Sequence, residues 1–196
     1  MATHDVKDIL LAAALPLFVS EGYDAVSVER LRRAAGVSNG SFFHAFPNKP
    51  ALAAALLGDC VAGYQRAVLA GLEGGATAAE GVSGAVAAKL DWVESHGAEA
   101  RFMLDDARAA WFALAAPRLD RLNAAFGARL AAWRAPHEAA GTLRKVSPEA
   151  FAAILLGPAN MACRMWLQGL RPDLERPGAL REELAEAARR ALLVRP

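Results

Sequence analysis

Three helix-capping residues, Ser27, Ser38 and Asn48, fall within 22 positions near the start of the chain. A short polar side chain at an N-cap accepts a hydrogen bond from an otherwise orphaned backbone N–H, so each of the three marks a helix start. Val28, Leu31, Ala34 and Ala35 follow Ser27 on one helical face, and Gly36-Val37 breaks that run. Ser38 opens a second segment carrying Phe42, Phe43 and Phe46. Asn48, with Pro50 in the first turn where proline is tolerated, opens a third that continues to about residue 72. The spacing leaves room for only about two turns between caps. The chain is therefore expected to form two short helices that meet at a glycine turn and lead into a long one.

The remainder reads as helical too. Leu10, Ala13, Ala14, Leu17 and Phe18 recur at helical spacing over 5–21, with Gly22 as a stop and Pro16 expected to bend the helix. The glycine-rich stretch 71–81 reads as a linker. Further helical patterns run over 82–95, 99–115, 117–140, 147–168 (with a bend at Gly157-Pro158) and 179–194. Composition agrees: 47 alanines stand against 17 β-branched residues. Alanine is the best helix former and β-branched residues favour strands, which excludes a sandwich, a barrel or a doubly wound sheet. The expected fold is all-α, with an N-terminal helix-turn-helix unit of three helices (1–50) and a C-terminal helical bundle (51–196).

Several classes drop out. The net charge is +1, from 22 basic and 21 acidic side chains, so a basic coat for generic nucleic-acid binding is absent. Cys60 and Cys163 belong to no C-x-x-C pair and read as buried thiols of a reducing compartment. The first apolar run lacks a basic start and is cut by Pro16, which fits neither a signal peptide nor a membrane span. A cytoplasmic protein without a membrane partner is expected. His4, His44, His96 and His137 have no ligand-type spacing, so no metal site and no cofactor are expected. Adjacent Asp105 and Asp106 point in different directions on a helix and make no general acid/base pair. With no nucleophile elbow or phosphate loop either, the chain is not expected to be an enzyme; an all-α enzyme using an aromatic-lined cavity is the rival.

The segment from 26 to 52 has the shape of a helix-turn-helix, whose second helix enters the DNA major groove. An ordinary helical hairpin is the alternative, and local charge separates the two. Residues 27–50 hold Arg30, Arg32, Arg33 and Lys49 against Glu29, a local +3, whereas residues 1–60 together total −1. Phe18, Gly22-Tyr23, Ser27-Val28, Leu31, Ala35-Gly36-Val37-Ser38, Gly40-Ser41, Phe42-Phe43, Phe46, Asn48-Lys49 and Leu52 also fall in one gap-free pattern. Over residues 7–57 that pattern resembles the DNA-binding region of the tetR (tetracycline-repressor-like) family of transcriptional regulators.

The resemblance implies a homodimeric regulator, more often a repressor, that reads a palindromic double-stranded operator and is released by a small-molecule effector. It implies a phosphate contact at Ser27, with Ser38 capping the reading helix. Asn39, Ser41 and His44 fall at positions that face base edges, with Asn48 and Lys49 at a phosphate clamp. Phe43 stands where the family usually has a tyrosine, which removes a hydroxyl contact to phosphate. Arg32 replaces a usually small residue and could reach a phosphate or remain solvated. Gly40 allows close approach either to DNA or to a neighbouring helix.

All four tryptophans lie beyond residue 60. Ligand pockets are mostly apolar with a few polar groups, which suggests Trp111, Phe126, Trp133, Met161 and Met165 as lining for a largely apolar effector. His96, Asn160 and Arg164 are the polar candidates. Leu155, Leu156, Met165, Leu180, Leu184, Ala188 and Leu192 offer apolar faces on the last two long helices for a homodimer, and Gly58 and Gly63 could let the fourth helix pivot. A helical sensor or carrier that no longer binds DNA is the alternative function.

Overall fold

The computed structural model describes residues 3–104 and 111–194. Among them are nine α-helices and one 3-10 turn, with no strand. The helices are α1 (Thr3–Glu21), α2 (Val28–Ala34), α3 (Asn39–Ala45), α4 (Lys49–Glu73), α5 (Ala78–Ser95), α6 (Gly97–Leu104), α7 (Phe112–Ala139), α8 (Pro148–Leu167) and α9 (Arg181–Leu192). The all-α expectation holds, and α1 runs through Pro16. The helix expected over 99–115 crosses residues 105–110, which lie outside the described residues, as do Asp105 and Asp106.

The chain packs as two units, Met1–Val61 with Ala98–Arg121, and Ala62–Gly97 with Leu122–Pro196. Packing thus draws its boundary at Val61, beyond the functional division expected at residue 50, and adds a later segment to the first unit. In that unit Leu10, Leu31, Phe42 and Leu52 are fully buried. Helices as short as α2 and α3, of seven residues each, are marginal alone. Burying a side chain such as Leu31 or Phe42 contributes about 1.5–3 kcal/mol, so tertiary packing holds them helical. Phe18 of α1 packs against Tyr23 (5.4 Å between centroids) and stacks on Phe102 of α6 (5.8 Å). Arg118 donates to the Ala55 carbonyl (3.0 Å) and to Asp59 (2.6 Å), tying α7 to α4.

In the second unit α5 packs against α8 and α9. The stretch expected to be a linker shrinks to 74–77 between α4 and α5. Its glycines serve packing instead: a Cβ on Gly71 would collide with the Gly84 backbone, and one on Gly84 with that of Gly71. Only hydrogen atoms let these two helix backbones approach so closely. A Cβ on Gly81 would meet the Trp133 ring. Gly58, in the first unit, likewise makes room for Arg118 (2.6 Å from a Cβ to its Cδ), so it marks a close contact. Thr77 and Glu80 form a reciprocal capping box that starts α5. By length and hydropathy α8 could span a membrane, as core helices also can; here it packs against α5 and α9.

Candidate nucleic-acid interface

The turn between α2 and α3 depends on one glycine. Gly36 adopts φ +65°, a conformation costly for any residue with a Cβ. The amides of Gly36 and Val37 then close the end of α2 on the Arg33 and Arg32 carbonyls. Ser27 Oγ accepts from the Arg30 amide (3.1 Å), and Ser38 Oγ accepts from the Ser41 amide (3.1 Å). Asn48 Oδ1 accepts from the Ala51 amide (2.8 Å). All three expected caps are in place. A capping hydroxyl that accepts from the backbone keeps its own proton to donate outward, and Ser27 is exposed.

The outer face of α3 is polar and accessible. Asn39, Gly40 and His44 are exposed, and Ser41 is half-buried with its hydroxyl 2.8 Å from that of Ser38. Phe43 is 49% exposed and packs edge-on against Phe42, which is fully buried. A half-exposed phenylalanine leaves apolar surface in water on this face.

Charge is distributed differently from the sequence expectation. Arg30 pairs with Glu21 (3.0 Å), while Arg32 and Arg33 both pair with Glu29 (2.5 and 2.6 Å). The Arg32 hydrogen bond, reinforced by the charges of Arg32 and Arg33, holds Glu29 below the usual carboxylate range. Lys49 Nζ donates to the carbonyls of Tyr23 and Val26 (2.8 Å each) and lies 4.2 Å from the Tyr23 ring centroid. Its ammonium therefore holds the α1–α2 loop against α4, a structural task beyond the expected phosphate clamp. Pro50 has no amide and that of Ala51 is capped, so Lys49 offers an anion its own backbone N–H in the first turn of α4.

Residues 10–56 match the sequence model of bacterial regulatory proteins, tetR family. Over that stretch the chain is similar to the tetR-family N-terminal region. No curated protein sequence matches the chain. Among solved structures, a tetR-family transcriptional regulator from Pectobacterium atrosepticum is 23% identical, with a TM-score of 0.70 over 99% of this chain and 97% of its own. The transcriptional regulator FadR from Bacillus subtilis, in complex with stearoyl-CoA, is 15% identical, with a TM-score of 0.77 over 92% and 96%. The superantigen PfiT is 23% identical, with a TM-score of 0.77 over the full length of both chains. These likenesses show a shared fold over nearly the whole chain.

The residues expected to bind an effector fall in both units. Trp111 is fully buried in the first unit, parallel to Phe102 (5.5 Å) and against Tyr23 (5.6 Å), as a core residue. The other seven belong to the second unit. Phe126 lines a cleft of about 230 Å³ between α7 and the start of α8, with Leu130, Arg134 and Glu149. Trp133 packs on His137 and Phe151, and His96 is exposed and stacked on Trp92. Asn160, Met161 and Arg164 are exposed on α8, with Met165 half-buried. On the last two helices Leu155, Leu156, Ala188 and Leu192 are buried within the chain itself, so they are not an interface. The sequence reading also missed Lys89, a charged residue buried in α5.

Proposed function

We propose that the chain is a homodimeric, effector-responsive transcriptional regulator of the cytoplasm that reads a two-fold operator through α3. The observation that carries this is the exposed face of α3, with Asn39, Gly40, Ser41, Phe43 and His44 held outward between two capped turns. A major groove admits one helix, and each well-made base contact discriminates by about 1–3 kcal/mol. Seven residues offer few such contacts, so two copies are needed for a specific site. Apolar surface on α8 and α9 supports that pairing. Met161 is 57% exposed, Ala187 and Ala191 are exposed, and Gly157, Met165 and Leu184 are partly exposed at three- and four-residue spacings. These residues replace the buried Leu155, Leu156, Ala188 and Leu192 in the dimer proposal.

The effector acts by population shift: it binds the conformer in which the two reading helices are wrongly spaced, and operator affinity falls by its differential affinity for the two states. An acyl-CoA complex of the FadR neighbour supports a small-molecule effector. The test is fluorescence anisotropy on DNA from upstream of the chain's own gene, over a range of salt concentrations. Sequence-specific binding with a shallow salt slope is expected, because the arginines of α2 begin paired. Absence of any specific binding there or at adjacent promoters would refute the regulator. That outcome favours the second reading, a sensor that no longer binds DNA, to which the paired arginines and Phe43 lend weight.

A further inference from the structure

Three polar or charged residues are buried among the described residues: Gln65, Lys89 and Arg134. Gln65 donates to Asn123 Oδ1 (2.9 Å), and the Lys89 ammonium lies over the Tyr64 ring (4.0 Å to its centroid). Arg134 differs in lining an opening. It is 7% exposed and forms part of the wall of the cleft of about 230 Å³ between α7 and the start of α8. Its guanidinium is held from several sides. Nε donates to Glu138 (2.8 Å), Nη2 donates to the Val146 carbonyl, and the central carbon lies 4.7 Å from the Phe151 ring centroid. Nη1 has no acceptor among the described residues. Nor is it sealed in, since the one enclosed side-chain atom without a partner among them is Trp111 Nε1. Its two N–H groups therefore remain to donate into the open space that Arg134 lines.

The rest of the cleft limits what those donors can meet. Phe126, Leu130, Ala131, Pro148 and Ala152 supply an apolar lining. The space exceeds the ~150 Å³ that takes a benzene ring, so a ring with a short substituent fits. Asn123 lines it too, and with Oδ1 taken by Gln65 its amide N–H groups are left as donors. The charge of Arg134 is already balanced by Glu138, and Glu149 brings a further carboxylate to the lining. A charged ligand carboxylate would meet Glu149 with no unbalanced cation to offset the repulsion. A neutral carbonyl oxygen accepts from Nη1 without that cost.

We propose that this cleft binds an uncharged, ring-sized carbonyl compound whose oxygen accepts from Arg134 Nη1 and whose body lies against Phe126 and Leu130. Its purpose rests on the effector-responsive reading. Binding is tested without DNA, so its failure and that of the regulator are read in separate assays.

The experiment is an amide NMR titration of the full-length chain with three probes below their solubility limits. They are acetophenone, its isostere α-methylstyrene, in which a methylene replaces the oxygen, and benzoate. Acetophenone is expected to shift the amides of Gly127, Ala131 and Ala152 and to bind at least tenfold more tightly than either of the others. Gly127 also lines the cleft, and a Cβ on it would meet nothing within 4 Å. Gly127→Leu therefore extends into the open space while favouring the helix, and it should weaken acetophenone binding at least tenfold. Equal affinity for acetophenone and α-methylstyrene would overturn the proposal. So would tighter binding of benzoate, no binding of acetophenone, shifts confined to other residues, or unchanged binding by Gly127→Leu.

Discussion

Replacing Gly40 with alanine separates fold from function at the reading helix. Gly40 is the second residue of α3 and has helical geometry, so no positive φ demands glycine there. A Cβ built on it would meet only Ser38 Oγ, at 3.9 Å, an ordinary contact. The neighbouring-helix explanation for this glycine therefore falls, and what remains is an approach from outside the chain. Glycine costs a helix interior roughly 0.5–1 kcal/mol relative to alanine, and near a helix end the cost is smaller. Gly40→Ala should thus stabilise by up to about 0.5 kcal/mol, raising Tm by about 1–2 °C in a chain of this size. Against DNA the added methyl overpacks a close contact, for which about 1–3 kcal/mol is typical, a loss of roughly 5- to 150-fold in affinity. Thermal unfolding followed by circular dichroism and operator anisotropy measure the two effects on one preparation. An unchanged operator affinity would refute the placement of α3 against DNA, and a lowered Tm would refute the open space at residue 40.

Other substitutions test the remaining packing and electrostatics. Lys49→Met removes two charge-assisted bonds to the α1–α2 loop; discounted for partial exposure, the loss should be about 1–3 kcal/mol by urea unfolding, with partial rescue by arginine. Gly84→Ala drives a methyl into the Gly71 backbone and should lower stability by about 1–3 kcal/mol in the same assay. Burial lowers the Lys89 pKa from 10.5, so Lys89→Met should be more stable than wild type at neutral pH. That advantage should shrink as pH rises from the depressed folded value toward the unfolded one, because the folded state binds fewer protons than the unfolded state in that window. A pH-independent difference between the two proteins would contradict it. Burial pushes Cys60 up to about 12 and Cys163 to about 11, so both thiols should react with a disulfide reagent at pH 8 only as fast as the protein unfolds.

The parts legible in the sequence are those where one residue decides a local geometry. Ser27, Ser38 and Asn48 specify three helix starts through single side-chain bonds, and Gly36 specifies the turn through its φ. The start of α5 was equally available, since Thr77 and Glu80 have capping-box spacing, but the density of glycine around them suggested a linker. Glycine has two uses, backbone freedom and backbone proximity, and only the partner surface tells which applies at Gly71 and Gly84. Trp111 shows the same limit for aromatics. Its size indicates that it must be buried, whereas its stacking on Phe102 depends on a contact that helical periodicity cannot specify. Lys89 could have been found: it stands four and three residues after Ala85 and Val86 and four before Val93, a charge within an apolar stripe.

The positive charge of the reading unit illustrates how a sum over residues can mislead about a surface. Arg30, Arg32 and Arg33 contribute most of the local +3, yet each is held by Glu21 or Glu29. Exposed pairs of this kind are worth about 0–1 kcal/mol, so exchanging a carboxylate for a phosphate costs little, and the counterion release that drives generic binding is correspondingly small. The pairs therefore keep the guanidiniums close to the α2 surface without committing them to any polyanion. In the proposed regulator, affinity for DNA must then come from the shape of α3, the Lys49 backbone amide and the repetition of both in a second copy. Such a regulator should gain little on random DNA and most of its binding on a site with the right spacing, which competition of operator binding by random-sequence DNA would measure.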